Sequence, residues 1–573
     1  IDGENYVKIG LFFLDGSDGS VVSDLALRGF TVNALNIQSD NSTFVSLKIY
    51  DNNGPGIVLN NASGNQFFSD TTTYLGFLLY NNSGDAGFGM QIDEESHNNK
   101  ITRVGFGADP ISLKIPRGNS RAGLLIRGDG VTVKECFFAY NKTNGIEFDQ
   151  PNKNTIPSLI KDCTFQLFSY DGISYELAGD TTFDNPINQK SAIFGLRAHN
   201  VTVQGCAVGV HRSHGIDFGG ASVSNITIDS NNIGMYLESP LMPSQPGIPH
   251  RIGGTAIRTG RDSIVISRNK IGLCNVGISI GQGSNYKVWG NTIGYTDKNM
   301  VRSAITSGLV IGDAAKNVII GDSLLQDKGN TIFGCGQHGI WSFVTDPTND
   351  ILIANNRIGF PPALSFITKA IPCLYSGIEL QGALNTIRIY KNIIVGQKKG
   401  IALLVRKIVP PRPIQTYTLS DISVVGNIIG IDSIFIDTLA EVQSVRMKIA
   451  GIDEGIHIEG VKGLLIDNNV ITSCNVGILG SSSLNDRVVI TKNQIGSLDN
   501  VANKSGGNRS YGILLIEGCS FFSIGSYFDV TSGNRIYNNK GTGILIKDSS
   551  HSNTILYNRL EGNLRGSIGL EDA

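Results

Sequence analysis

Residues Ser263 to Gly294 read SIVISRNKIGLCNVGISIGQGSNYKVWGNTIG. Three short apolar alternations stand in this stretch: Ile264-Val265-Ile266, Gly277-Ile278-Ser279-Ile280 and Tyr286-Lys287-Val288-Trp289. Each is followed by a turn, either Asn-x-Ile-Gly (Asn269 to Gly272, Asn291 to Gly294) or Gly-Gln-Gly-Ser. Period-two alternation over so few residues marks strands and is too short for a helix. The unit recurs along the chain, so it reads as one coil of a solenoid.

The pattern Gly-[Ile/Leu/Met]-x-apolar marks the coils. It stands at Gly56, Gly89, Gly123, Gly145, Gly172, Gly215, Gly277, Gly308, Gly377, Gly455, Gly512 and Gly543, with looser forms at Gly195, Thr255, Gly339, Gly400 and Gly477. Short spacings are roughly 20 to 23 residues, one three-strand coil, and longer ones hold insertions. Several insertions begin directly after Asn-x-Ile-Gly, at Gly234, Gly294, Gly359, Gly430 and Gly496. The long loops are therefore expected to leave from one corner of alternate coils and stack into a ridge.

Length alone, 573 residues, would suggest several domains. A solenoid grows by stacking coils instead, so residues 1–573 read as one parallel β-helix domain, part of a longer chain or assembly. The 70 glycines fit many tight turns. The net charge of −2 points to neither nucleic acid nor an acidic membrane as partner. No apolar run reaches the roughly 20 residues of a membrane-spanning helix. The chain opens at Ile1 with no signal peptide and no polar cap, so a further segment or subunit is expected to cover that end. The eight cysteines are spread singly, without the close pairs of zinc sites, and read as small buried residues. Eight Asn-x-Ser/Thr sequons allow a glycosylated, secreted protein.

The repeat, Asn-x-Ile-Gly, loop, Gly-Ile-x-Ile, resembles that of the right-handed parallel β-helix proteins of the pectin-lyase-like group, closest to their secreted and surface members. The resemblance covers essentially the whole chain. It implies an all-β fold: a right-handed parallel β-helix solenoid of roughly seventeen or more coils, a rod on the order of 80 Å long.

In Gly-Ile-x-Ile the two apolar residues point inward and x points outward. Stacking puts the x residues in one column: Val58, Gln91, Leu125, Glu147, Ser174, Arg197, Asp217, Arg258, Ser279, Val310, Trp341, Glu379, Ala402, His457, Leu479, Leu514 and Leu545. Its C-terminal part is apolar, which calls for a cover of loops or a partner. Asn231, Asn269, Asn291, Asn330, Asn356, Asn427, Asn493 and Asn534 share another coil position, where stacked amides can form a structural ladder.

Enzymes of the resembled group work on acidic or neutral polysaccharides from an outward sheet face. For such chemistry the candidates are Glu147, Arg197, Asp217 and Arg258, with His214 and His211 nearby. A hydrolase needs two carboxylates and a lyase needs a base, often with calcium. The Asn-Thr-Asp, Asp-Asp and Gly-His-Gly set of polygalacturonases is missing, as is the Asp-Pro-His-Glu of alginate epimerases. Trp341 and Phe343, two residues apart, suit a sugar-stacking platform. Asp93-Glu94-Glu95 with His97 reads as a solvated loop, and Arg127-Gly128-Asp129 as a turn.

Two function classes follow. The reading favoured by the sequence is a non-enzymatic protein of the cell surface or secreted fraction: a fibre, filament subunit or adhesin that self-associates and binds glycans. The alternative is a polysaccharide lyase or glycoside hydrolase acting on the outward face. No cofactor is expected; calcium is the one ion the resemblance allows.

Overall fold

The computed structural model describes residues 1–71, 76–107, 117–151, 156–165, 190–209, 211–234, 252–294, 306–322, 324–325, 328–359, 371–408, 415–417, 419–430, 433–436, 445–448, 452–496, 507–526 and 529–571. Nearly every described element is a strand, and the strands pair in parallel from one coil to the next. This is the all-β, right-handed parallel β-helix that the repeat predicts. The chain divides into two compact units, Ile1–Ile278 and Ser279–Ala573. Among the described residues no helix is long and apolar enough to cross a membrane.

In the first unit, the opening strand of each coil stacks on the next through Asn33–Ile37, Ile57–Leu59, Met90–Ile92, Leu124–Ile126, Asn144–Asp149, Ser191–Gln204, His214–Phe218 and Thr255–Thr259. In the second, the series runs Ser307–Ile311, His338–Ala354, Ser376–Tyr390, Lys399–Leu404, Ile452–Glu459, Cys474–Ser481, Tyr511–Ile516, Ile544–Lys547 and Ile568–Glu571. Isoleucines flanking each x residue are fully buried, such as Ile401, Ile456, Ile478 and Ile513. In the first unit, phenylalanines do the same work: Phe106, Phe138 and Phe165 stack with centroids 4.6 and 5.0 Å apart.

The glycine that opens each coil answers to a close approach. A Cβ on Gly455 would stand 2.5 Å from the Gly477 carbonyl oxygen and 2.6 Å from Ile471 Cγ2. The same pair of obstacles meets Gly400, with Ile429, and Gly512, with Ile536. The isoleucine of one repeat element thus dictates the glycine of the other.

The two-residue strands after each ladder asparagine form their own parallel stack. In the second unit this runs Thr292–Ile293, Thr331–Ile332, Arg357–Ile358, Ile393–Ile394, Ile428–Ile429, Val470–Ile471 and Gln494–Gly496. Insertions follow four of these strands, so their points of departure share one corner. Most insertion residues, and Ser174, lie outside the described residues. Two short antiparallel hairpins are described, Arg406–Ile408 with Gln415–Tyr417 and Ser433–Ile436 with Val445–Lys448.

Asparagines line a buried row at the corner. In the second unit each side-chain amide donates to the Oδ1 of the next, at 2.8 to 3.0 Å, through Asn291, Asn330, Asn356, Asn392, Asn427, Asn469, Asn493, Asn534 and Asn558. Each Oδ1 also accepts the preceding asparagine's backbone N–H, as Asn427 does from Asn392 at 2.9 Å. In the first unit Asn231 donates to Asn269 in the same way. A second first-unit row, Asn52, Asn82, Asn119 and Asn141, escaped the sequence reading, because none of the four carries the Asn-x-Ile-Gly signal, although Asn52, Asn119 and Asn141 each stand four residues before a coil glycine. All eight cysteines are buried free thiols.

Candidate functional site

The outward column of the first unit runs, in register, Val58, Gln91, Leu125, Glu147, Phe194, Asp217 and Arg258. Arg197 does not belong to it. The pairing shifts between Phe148 and Asp149, so Gly195 faces Phe148 while Arg197 faces Asp149. The extra residue is a bulge, and it makes Gly195-Leu196-Arg197-Ala198 imitate the coil motif. The coil in fact opens at Ala192-Ile193-Phe194, with alanine, as at Ala34 and Ala256, where most coils have glycine. Arg197 instead clamps Asp149 through Nε and Nη2, both 2.6 Å from Oδ1, and Arg127 stands 3.6 Å from the other oxygen.

Glu147, Phe194 and Asp217 line a cleft of about 450 Å³ whose rim also carries Arg121, Lys190 and Asn144. Asn144 Nδ2 donates to Glu147 Oε2 at 3.3 Å. Asp217, almost wholly buried, accepts from the Gly219 N–H at 2.9 Å and stands 3.6 Å from Arg258 Nη1. His214 Nε2 is 3.9 Å from the same carboxylate. Burial outweighs that negative neighbour and lowers the His214 imidazole below its usual range. Its Nδ1 accepts the Thr255 N–H at 3.2 Å, so the single proton of the neutral ring sits on Nε2, facing Asp217 and Arg258. His214 therefore orients Asp217 and offers no lone pair to the cleft. His211 is fully buried with Nδ1 donating to Gly209, away from this chemistry.

Glu147 and Asp217 are two coils apart in one column, about 10 Å between Cα atoms at two inter-strand steps. Arg121, Lys190, Asn144 and Phe194 escaped the sequence reading. Arg121 and Lys190 fall just before a coil's opening strand and Asn144 begins one, with no motif of their own, and Phe194 was hidden by the bulge.

In the second unit the column runs Val310, Trp341, Glu379, Ala402, His457, Leu479, Leu514 and Leu545. Its apolar end is already covered: Val476, Leu479, Leu514 and Leu545 form a buried cluster with Tyr511 and Ile516 against it. Trp341 and Phe343 stack at 5.9 Å with 22° between planes, and His338 lies over Trp341 at 5.6 Å and 14°.

Three coils on from Trp341, His457 Nδ1 is 2.7 Å from Glu454 Oε2 and its Nε2 is 3.0 Å from Ser481 Oγ. That is the contact pattern of a Ser–His–acid relay. Lys399 Nζ, however, stands 2.8 Å from the same Nδ1. A cation there competes for Nδ1 and opposes the imidazolium that a relay must form, so the group reads as a structural network. Burial raises the Glu454 carboxyl, but bonds and charge from His457 and Lys399 outweigh it and leave it below its usual range.

His97, next to the acidic run at Asp93, pairs with Asp129 at 2.5 Å. Among the described residues no group of three or more His, Cys, Asp or Glu is placed to hold a metal ion.

Residues 114–239 and 432–573 match the family model described as the right handed beta helix region. The stacked parallel coils give the chain the fold that this description names, a right-handed parallel β-helix. Among solved structures, the periplasmic alginate epimerase AlgG aligns at 11% identity over 84% of this chain and 76% of its own, with a TM-score of 0.31. The Azotobacter vinelandii mannuronan C-5 epimerase AlgE4 A-module aligns at 14% identity over 73% of this chain and 86% of its own, with a TM-score of 0.34. The Dettilon tailspike protein aligns at 13% identity over 92% and 61%, with a TM-score of 0.23. No curated protein matches the sequence.

Proposed function

We propose that this chain is a secreted or cell-surface enzyme that hydrolyses an acidic polysaccharide on the outward face of its first unit. The observation that carries the reading is the pair Glu147 and Asp217, in one column, lining one cleft, with Phe194 between them. Inverting glycoside hydrolases hold their two carboxyl groups about 6.5 to 9.5 Å apart, leaving room for the attacking water. Two coil steps set the two side chains about 10 Å apart in one column, at the upper end of that span. A pyranose ring resting on Phe194 would have a carboxyl group on either side. Asp217, held by the Gly219 amide and oriented by His214, suits the base that activates water; Glu147 suits the acid at the leaving oxygen. Arg121 and Lys190 at the rim suit carboxylates carried by the substrate.

The test is a reducing-end assay on polygalacturonate, alginate and glucuronoxylan. Glu147→Gln and Asp217→Asn should each lower kcat by about 10²- to 10⁴-fold with the fold intact. Products bearing a conjugated double bond would replace hydrolysis with a lyase reaction. No cleavage of any acidic polymer, or full activity in both variants, removes the enzyme reading. Regular polymers of the chain under the electron microscope would then favour the fibre or adhesin alternative.

A further inference from the structure

The second unit holds an aromatic surface that the cleavage site does not use. Phe343 is 43% exposed and Tyr375 50% exposed, both high for aromatic side chains on a sheet. Tyr375 lies 6.0 Å from His338, which lies over Trp341, which stacks on Phe343. Two of these rings, His338 and Tyr375, line a cleft of about 320 Å³ with Gln337, Glu379 and Lys398, and Trp341 stands beside Glu379 in the outward column. Lys398 Nζ stands 5.1 Å over the Tyr375 ring.

Glu379 is the polar centre. It is 8% exposed, accepts from Ser376 Oγ at 2.6 Å and Gln381 Nε2 at 2.7 Å, and stands 3.4 Å from His338 Nδ1. Two donors from its own strand fix its rotamer, and it keeps acceptor capacity for further hydroxyls.

Exposed ring faces beside a fixed carboxylate select a ligand with one apolar face and a rim of hydroxyls. A purely apolar ligand would leave Glu379 and Gln337 unpaired. A nucleic acid would also stack, but its phosphates would meet a carboxylate. We propose that Trp341, Phe343, Tyr375 and Glu379 form a saccharide-binding subsite for a pyranose of a polysaccharide chain, with stacking on the rings and hydroxyls donating to Glu379. This rests on the polysaccharide reading for the class of ligand, but not on cleavage in the first unit.

The chain has two tryptophans, so Trp289→Phe leaves Trp341 as the sole indole and its emission reports directly on the platform. The titration uses cello-oligosaccharide and oligogalacturonate in a Glu147→Gln background, which prevents turnover. The expected result is a saturable change in emission with at least one sugar. Phe343→Ala and Tyr375→Ala should each weaken it about tenfold, and Glu379→Gln comparably, at unchanged melting temperature. If Trp289→Phe does not fold, the difference between the unaltered chain and Trp341→Phe isolates the same signal. No emission change with either sugar, or binding indifferent to Phe343→Ala and Tyr375→Ala, overturns the subsite. Saturable binding together with no cleavage by the unaltered chain would sink the enzyme reading alone. Hydrolysis without an emission change would sink the subsite alone.

Discussion

His211 is the residue whose environment makes the clearest demand on pH. Burial alone drives its imidazole down to about 4, and the single bond from Nδ1 to the Gly209 carbonyl does little to oppose that. In the unfolded chain the ring titrates near 6.5. Above that value neither state holds the proton and stability is flat. Between about 6.5 and 4 the unfolded chain binds a proton that the native one does not, so stability falls as pH falls, by about 3 kcal/mol in all. Denaturant midpoints across that window should slope in the native chain and flatten in His211→Gln. Asn427 makes a different demand. Its substitution by alanine leaves the Asn392 amide and the Ile389 carbonyl without their partner, at about 1 to 3 kcal/mol for each buried group. Asn427→Asp should be worse, because a carboxylate oxygen would then face the Asn469 Oδ1 that the amide now satisfies. Hydrogen exchange at the neighbouring coils reads both.

At the scale of the element, the coil is set by two residues that touch rather than by strand propensity. Gly455→Ala places a methyl 2.6 Å from Ile471 Cγ2 and 2.5 Å from a carbonyl oxygen, and neither can retreat in a stacked sheet. A loss of about 1 to 3 kcal/mol is expected, and in a double-variant cycle with Ile471→Ala, which removes the Cγ2 methyl, the combined loss should be smaller than the sum of the two single losses. This contact is why the coils were legible: the Gly-Ile and Asn-x-Ile-Gly signals are two halves of one packing constraint. It is also why legibility failed where it did. Asn392 and Asn469 sit in the ladder but are followed by Ile-Ile-Val and Val-Ile-Thr, and, as Asn330 and Asn534 also lack the glycine, the Asn-x-Ile-Gly signal alone does not trace the whole row. The bulge after Phe148 moved Arg197 off the column while preserving the look of the motif. Bulges change the register of a strand without changing its composition, and only backbone pairing reveals them.

For the molecule as a whole, the sequence called for loops or a partner to cover the apolar column at Leu479, Leu514 and Leu545. Those side chains are buried beneath Tyr511 and Ile516 of the same chain. That surface therefore needs no second copy. Mass photometry at nanomolar concentration should show the mass of one chain, and ordered polymers would reopen the fibre reading. The positions that line both clefts are scattered over several coils and are brought together only by stacking. Lys190 and Asp217, or Gln337 and Lys398, share no local motif that a linear reading could find. Stacking is legible from a repeat; the neighbours it creates across turns are not.

The asparagine row of the second unit has one further property. Backbone bonds between coils run alternately in both directions, so their dipoles largely cancel. The side-chain amides do not alternate: from Asn291 to Asn558 every Nδ2 points toward the next coil and every Oδ1 toward the previous one. The row is a permanently polarised filament in a dry corner, negative at its Asn291 end and positive at its Asn558 end. Each added rung polarises the others, so the strength of any one bond depends on how many coils stand in line.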